Sequence, residues 1–84
     1  MPTLQLFSRQ GCHLCEVLLE QLLPLVRGTF NVEVHDIDLR QEWRDAYGTR
    51  IPVVEYDGRM ICQCRLDRDA VIKLVNQVRS AGAE

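Results

Sequence analysis

Thr3-Leu4-Gln5-Leu6-Phe7-Ser8-Arg9-Gln10-Gly11-Cys12-His13-Leu14-Cys15-Glu16-Val17-Leu18-Leu19-Glu20-Gln21-Leu22-Leu23 is the stretch on which the fold turns. Residues 3–8 are a short run of strand formers. A polar stretch ending in Gly11 follows, then a helical pattern predicted over residues 12–27. Cys12 therefore falls where a strand hands over to the first turn of a helix. Unpaired backbone N–H groups and the positive end of the helix dipole favour an anion at that point. The anion of a thiol is its reactive form. A free cysteine has a pKa of about 8.5, so only a few per cent is ionised at pH 7. A helix N-terminus in a C-x-x-C motif lowers that to about 7 or below, roughly a tenfold gain in thiolate. Cys15 follows at i+3, one turn further in, within reach of a bridge. Its deeper position and flanking Leu14 are expected to shield it. Cys12 is accordingly the candidate attacking thiol and Cys15 the candidate resolving thiol. Arg9 and His13 are nearby cations that would favour the thiolate further or meet a substrate, unless they are simply solvated loop residues.

Outward from this stretch, helix one carries Pro24 inside its pattern, where a lost hydrogen bond should kink or end it, and Arg27-Gly28 is a plausible stop. A second strand spans residues 31–37. Asp38 then reads as the cap of a short helix, with Gln41 as its reciprocal partner, Trp43, Ala46 and Tyr47 as its apolar side, and Gly48 as its end. Residues 51–56 form a third strand opened by Pro52, a position where proline is tolerated. Asp57-Gly58 is a hairpin turn into a fourth strand over residues 59–64. Asp67 caps a last helix, whose Val71, Leu74, Val75 and Val78 fall at i, i+3, i+4 and i+7. The tail from Ser80 to Glu84 should fray. A βαβ unit gives two parallel strands with a right-handed crossover. The later hairpin must add antiparallel strands, with helices one and three on one face of the sheet and helix two on the other.

The 84 residues are expected to form one domain. Net charge is −2 with no basic block, which argues against nucleic acid. No apolar run approaches the ~18 residues of a membrane span, and the start lacks a basic and apolar leader. The expectation is a cytoplasmic monomer. In that compartment four cysteines point to catalysis or metal rather than to a structural framework.

The C-x-x-C at the first strand–helix junction, the β-α-β-α-β-β-α order and Ile51-Pro52 before the third strand together resemble the thioredoxin superfamily. The length and the Asp57-Gly58 turn resemble its glutaredoxin branch. Gly11-Cys12-x-x-Cys15, Asp36-Ile37-Asp38 and Tyr47-Gly48-Thr49-Arg50-Ile51-Pro52 are similar to a group of small bacterial glutaredoxin-like proteins. The resemblance implies a thioredoxin-like, glutaredoxin-type α/β fold in three layers with a four-stranded mixed sheet. It implies a thiol–disulfide oxidoreductase acting through Cys12 and Cys15. It makes Pro52 a cis-proline packed against the dithiol, with the Ile51 backbone free to pair with an extended substrate. No cofactor is implied beyond a source of reducing equivalents, whose donor is unspecified. The partner is a disulfide-bearing protein or a small thiol. Glutathione-binding relatives carry a glycine pair where this chain has Cys62-Gln63 followed by Cys64-Arg65. Bulk there favours protein disulfides over glutathione mixed disulfides.

Three other readings stand beside this one. A thioredoxin-fold module could hold a partner at the Pro52 cleft without turnover. Cys12, Cys15, Cys62 and Cys64 could form a zinc site, although 47 positions separate Cys15 from Cys62 and the second pair lies in a strand. Otherwise Cys62 and Cys64 are small buried hydrophobes beside Met60, or present a surface-exposed reactive thiol. His35 reads as packed or solvent-facing, Trp43 and Tyr47 as core, and Asp36 as a partly buried carboxylate near the dithiol that could accept a proton from Cys15.

Overall fold

A computed structural model describes residues 1–82. Alternation in the first strand, β1 (Thr3–Ser8), sets the layers: Leu4 and Leu6 point to one face and Phe7 to the other, and all three are buried. The chain continues through α1 (His13–Val26), β2 (Asn31–Asp36), a 3-10 turn at Ile37–Leu39 and α2 (Gln41–Tyr47). It ends with β3 (Val53–Tyr56), β4 (Arg59–Gln63) and α3 (Arg68–Gly82). The sheet order is β2-β1-β3-β4, with β1 and β2 parallel and the other two pairs antiparallel. The mixed four-stranded sheet and the β-α-β-α-β-β-α order are those of a thioredoxin-like fold.

The larger core lies between the sheet and helices α1 and α3. Leu4, Leu6 and Val54 of the sheet meet Leu18, Leu22 and Val26 of α1 and Val71, Leu74 and Val75 of α3. The smaller core holds Phe7, Ile37 and Val53 under Trp43, Tyr47 and Ile51. Phe7 stacks on Tyr47 with ring centroids 4.1 Å apart and meets Trp43 edge-on at 5.6 Å. His35 stacks on Phe7 and shares a hydrogen bond with the Gln5 side chain, so it belongs to this packing.

Several local expectations change. Pro24 does not end α1, which runs on to Val26, and the Arg27 N–H still bonds the Leu23 carbonyl at 3.0 Å. Pro24 faces solvent, while Leu18, Leu22 and Val26 repeat at i+4 on the buried face. Their burial outweighs a proline penalty of about 3 kcal/mol. Gly28 at φ +83° then closes the helix, in a conformation that glycine adopts without a Cβ clash. Asp38 does not cap α2. The 3-10 turn intervenes, and its cap is Asp36, whose Oδ1 accepts the Asp38 N–H at 2.9 Å. Arg40 stands at the start of α2 with no side-chain cap, and Gln41 bonds Asp45 and Arg44 instead. Asp67 does cap α3, its Oδ1 accepting from the Ala70 N–H at 3.0 Å. The tail is helical to Gly82 rather than frayed from Ser80, because α3 continues its own hydrogen bonding; its last two residues, 83–84, lie outside the described residues.

Tyr47 tethers α2 to β3 by donating its hydroxyl to Glu55 Oε2 at 2.7 Å. Burial, and next this bond, push its phenol up to about 12 from 10.0. In the unfolded chain the same phenol ionises near 10, so between about pH 10 and 12 the unfolded state binds fewer protons. The stabilisation is complete below pH 10 and is lost as pH rises through this window. Absorbance titration at the phenolate band should place Tyr47 near 12, and Glu55→Gln should bring it down.

Candidate functional site

β1 ends at Ser8, and the loop to α1 turns on Gly11, whose φ of +76° suits a residue without a Cβ. Cys12 follows as the helix N-cap, with φ −84° and ψ 102°. It stands one residue before the helix rather than inside its first turn. Its Sγ accepts the Cys15 N–H at 3.2 Å, and its own N–H bonds the Arg9 carbonyl at 3.2 Å. A free backbone N–H is thereby aimed at the sulfur, the arrangement that favours charge on it. Cys12 and Cys15 are joined in a disulfide with Cα atoms 5.2 Å apart.

Cys12 is half-buried, whereas Cys15 is only 3% exposed. Leu14 does not provide that shielding, since it is 58% exposed. Cys15 is covered because it begins the inward stripe continued by Leu18, Leu22 and Val26. The two sulfurs thus differ in access by their helix positions.

The register Phe7↔Val53 brings Pro52 level with Ser8, at the end of the sheet where β1 hands over to the dithiol loop. Pro52 is buried and follows a cis peptide bond from Ile51. The Ile51 N–H is used internally, donated to the Tyr47 carbonyl at 3.1 Å. Among the described residues its carbonyl accepts no hydrogen bond.

Arg9 and His13 take different positions. The Arg9 guanidinium forks onto the Asp38 carboxylate, Nε to Oδ2 and Nη2 to Oδ1, each at 3.0 Å. His13 projects into solvent, with Nδ1 4.0 Å from Glu16. Asp36 is half-buried, and one of its oxygens is committed to the Asp38 N–H.

Cys62 and Cys64 do not behave as a pair. Cys62 is buried in the larger core, and burial pushes its thiol pKa up. Cys64 lies beyond β4, exposed, with φ +66°, and Met60 is 47% exposed rather than packed with it. The expectation of two buried hydrophobes therefore fails for Cys64. Strand alternation stops at Gln63, and the chain turns so that the Cys64 N–H bonds the Pro52 carbonyl at 2.8 Å. This left-handed backbone is the kind that glycine favours, so the side chain standing in a glycine-like position is that of Cys64. Arg50 braces the same turn through Gln63 Oε1 at 2.8 Å. Neither Cys64 nor Asp38 was marked by the sequence for these roles; a positive φ and a salt bridge across 29 positions leave no local pattern. Among the described residues no three His, Cys, Asp or Glu side chains converge as a metal site, so the four-thiolate arrangement is not formed. No helix among them is long and apolar enough to cross a membrane.

The family model described as a glutaredoxin-like domain (DUF836) matches residues 3–76. A structural-genomics target protein from X. campestris is 29% identical, with a TM-score of 0.67, covering 88% of this chain and 96% of its own. A mutant thioredoxin from Halobacterium salinarum is 28% identical, with a TM-score of 0.59, covering 90% and 73%. A buckwheat glutaredoxin–glutathione complex shares the fold at 20% identity, with a TM-score of 0.54 and coverage of 95% and 79%. No curated protein gives a significant match.

Proposed function

The chain belongs to the glutaredoxin-like domain family, and from that premise we propose that it is a cytoplasmic thiol–disulfide oxidoreductase that acts on protein disulfides in preference to glutathione mixed disulfides. The observation that carries this reading is Cys12 as N-cap, its sulfur receiving the Cys15 N–H and bonded to a buried Cys15.

In the reduced protein the Cys12 thiolate attacks one sulfur of a substrate disulfide. The Cys12–substrate bond forms, the substrate S–S bond breaks, and one substrate sulfur leaves as a thiolate that takes up a proton. Cys15 then loses its proton and attacks Cys12 Sγ. The Cys12–Cys15 disulfide forms and the second substrate thiol leaves. The substrate gains two electrons and the protein loses two. An external thiol or dithiol returns them.

Ile51 and Pro52 line the approach, and the open Ile51 carbonyl offers one backbone hydrogen bond to an extended substrate segment. The preference for proteins rests on the turn beside Pro52. A small anionic peptide that binds through backbone contacts needs room there, and this turn carries the side chains of Gln63 and Cys64 in place of bare glycine backbone. The chain acts as a monomer and takes no resident cofactor in this reading.

The test is a pair of assays with reduced protein, one on a protein disulfide and one on a glutathione mixed disulfide. Reduction of the first with only slow turnover of the second is the expected result. Fast turnover of the glutathione substrate would overturn the preference. Exchange with neither would leave a binding module that does not turn over.

A further inference from the structure

We propose that Asp38 is a specificity-determining residue: it occupies the Arg9 guanidinium and so withholds that cation from the carboxylates of small anionic disulfides. The inference rests on the exchange chemistry assigned above.

Arg9 stands three residues before Cys12 in the dithiol loop, its carbonyl accepting the Cys12 N–H at 3.2 Å. A guanidinium is a planar fork matched to a carboxylate, and here both tines are filled, each at 3.0 Å. Among the described residues this is the only two-bonded carboxylate–guanidinium pair. The two side chains are 40% and 44% exposed. Solvent-exposed pairs add little to stability, so the arrangement calls for a different consequence. Exposure also means that a dissolved carboxylate can approach the same fork.

Asp38 holds its place without Arg9. Its N–H is bonded to Asp36 Oδ1 at 2.9 Å, and its carbonyl accepts from Arg44 Nη1 at 2.7 Å. It is a fixed acceptor on the 3-10 turn, and Arg9 reaches across to it. A tethered group of this kind competes at an effective concentration of millimolar or more. A small anionic disulfide must displace it before it gains the cation. The bond to Asp38 also raises the Arg9 pKa, another expression of the same engagement.

Three other cations have different surroundings, and one of them, Arg65, lines a groove with Leu14, Leu18 and Cys64. His13 is highly exposed and faces Glu16. Arg50 is bonded to neutral acceptors, Gln63 Oε1 and the Ala46 carbonyl, across from the dithiol loop at the Pro52 turn. A partner that binds through apolar and backbone contacts is not affected by the neutralised fork, whereas one that must seat a carboxylate is.

The experiment compares the second-order oxidation of reduced protein by glutathione disulfide and by the uncharged bis(2-hydroxyethyl) disulfide. Each reaction consumes one disulfide, yields two small thiols and leaves the Cys12–Cys15 bond. The readout is the ratio of the two rates. Asp38→Asn, with Asp38→Ser as a second variant, should raise the ratio about tenfold, the scale of a charge-assisted hydrogen bond, and the rise should shrink with added salt. Arg9→Gln combined with Asp38→Asn should return it to the wild-type value, with net charge restored. An unchanged ratio in the single variants, or an equal rise in the double variant, overturns the proposal while wild-type reaction with the uncharged disulfide keeps the exchange chemistry intact. Wild-type protein that reacts with neither disulfide removes the exchange chemistry and this inference together.

Discussion

Cys12→Ser should lower disulfide exchange by roughly three orders of magnitude or more, because among the described residues no other cysteine stands at a helix N-cap. Cys15→Ser should behave differently. Attack by Cys12 remains, but nothing resolves the product, so the protein should accumulate as a mixed disulfide with its substrate. The structural reason is the contrast in access: Cys12 half-buried with a backbone N–H on its sulfur, Cys15 3% exposed on the inward stripe of α1. Alkylation of the reduced protein should show the same order. Cys12 should react first, with a rate midpoint well below about 8.5, and Cys15 slowly. Cys64 is exposed as well, so the measurement is made in a Cys64→Ser background. Faster labelling of Cys15, or a midpoint at or above 8.5, would reverse or remove the assigned roles.

The second large effect is on stability. Leu22 is fully buried in the middle of α1, between Leu18 and Val26, at the centre of the larger core. Leu22→Ala should cost about 3 kcal/mol, within the range for leucine truncations that leave a cavity. A domain of this size has about 5–15 kcal/mol in total, so the loss is a large share. At about 4–8 °C per kcal/mol the melting temperature should fall by roughly 12–24 °C. Leu23, on the same helix but 41% exposed, is the control, and Leu23→Ala should change the melting temperature little. Similar losses at both positions would contradict the placement of the core. Because α1 also carries Cys15, the unfolding of Leu22→Ala should be followed separately from its exchange rate.

Most of the fold was legible in short-range pattern. Leu4, Leu6 and Phe7 alternate, and the strand they predict is β1 to the residue. Val71, Leu74, Val75 and Val78 repeat at helical spacing, and α3 buries that face. Asp57-Gly58 predicted the β3–β4 hairpin, which forms with Asp57 and Gly58 at φ +52° and +79°. The errors sit where two signals of equal local strength competed. The sequence points to Asp38 as a cap and to Asp36 as a partly buried carboxylate, and only the 3-10 turn, favoured by the burial of Ile37, assigns the capping role to Asp36. Pro24 is a strong breaker on its own, yet the inward stripe of α1 overrides it.

The dithiol is the part of the site that local sequence determined, since C-x-x-C between a strand and a helix brings its own cap, dipole and spacing. Its surroundings came from tertiary structure. Arg9 was visible as a cation near Cys12, but its pairing with Asp38 across 29 positions depends on how β1 and β2 register and where the turn after β2 points. Cys64 was visible as a thiol near the end of a strand, but its left-handed backbone and its bond to Pro52 arise only when β4 closes against β3. The physical reason is range. Hydrophobic periodicity, capping and turn chemistry act over a few residues and are written contiguously. Ion pairs, buried faces and the conformation of a connecting turn depend on groups that only the assembled sheet brings within a few ångströms of one another.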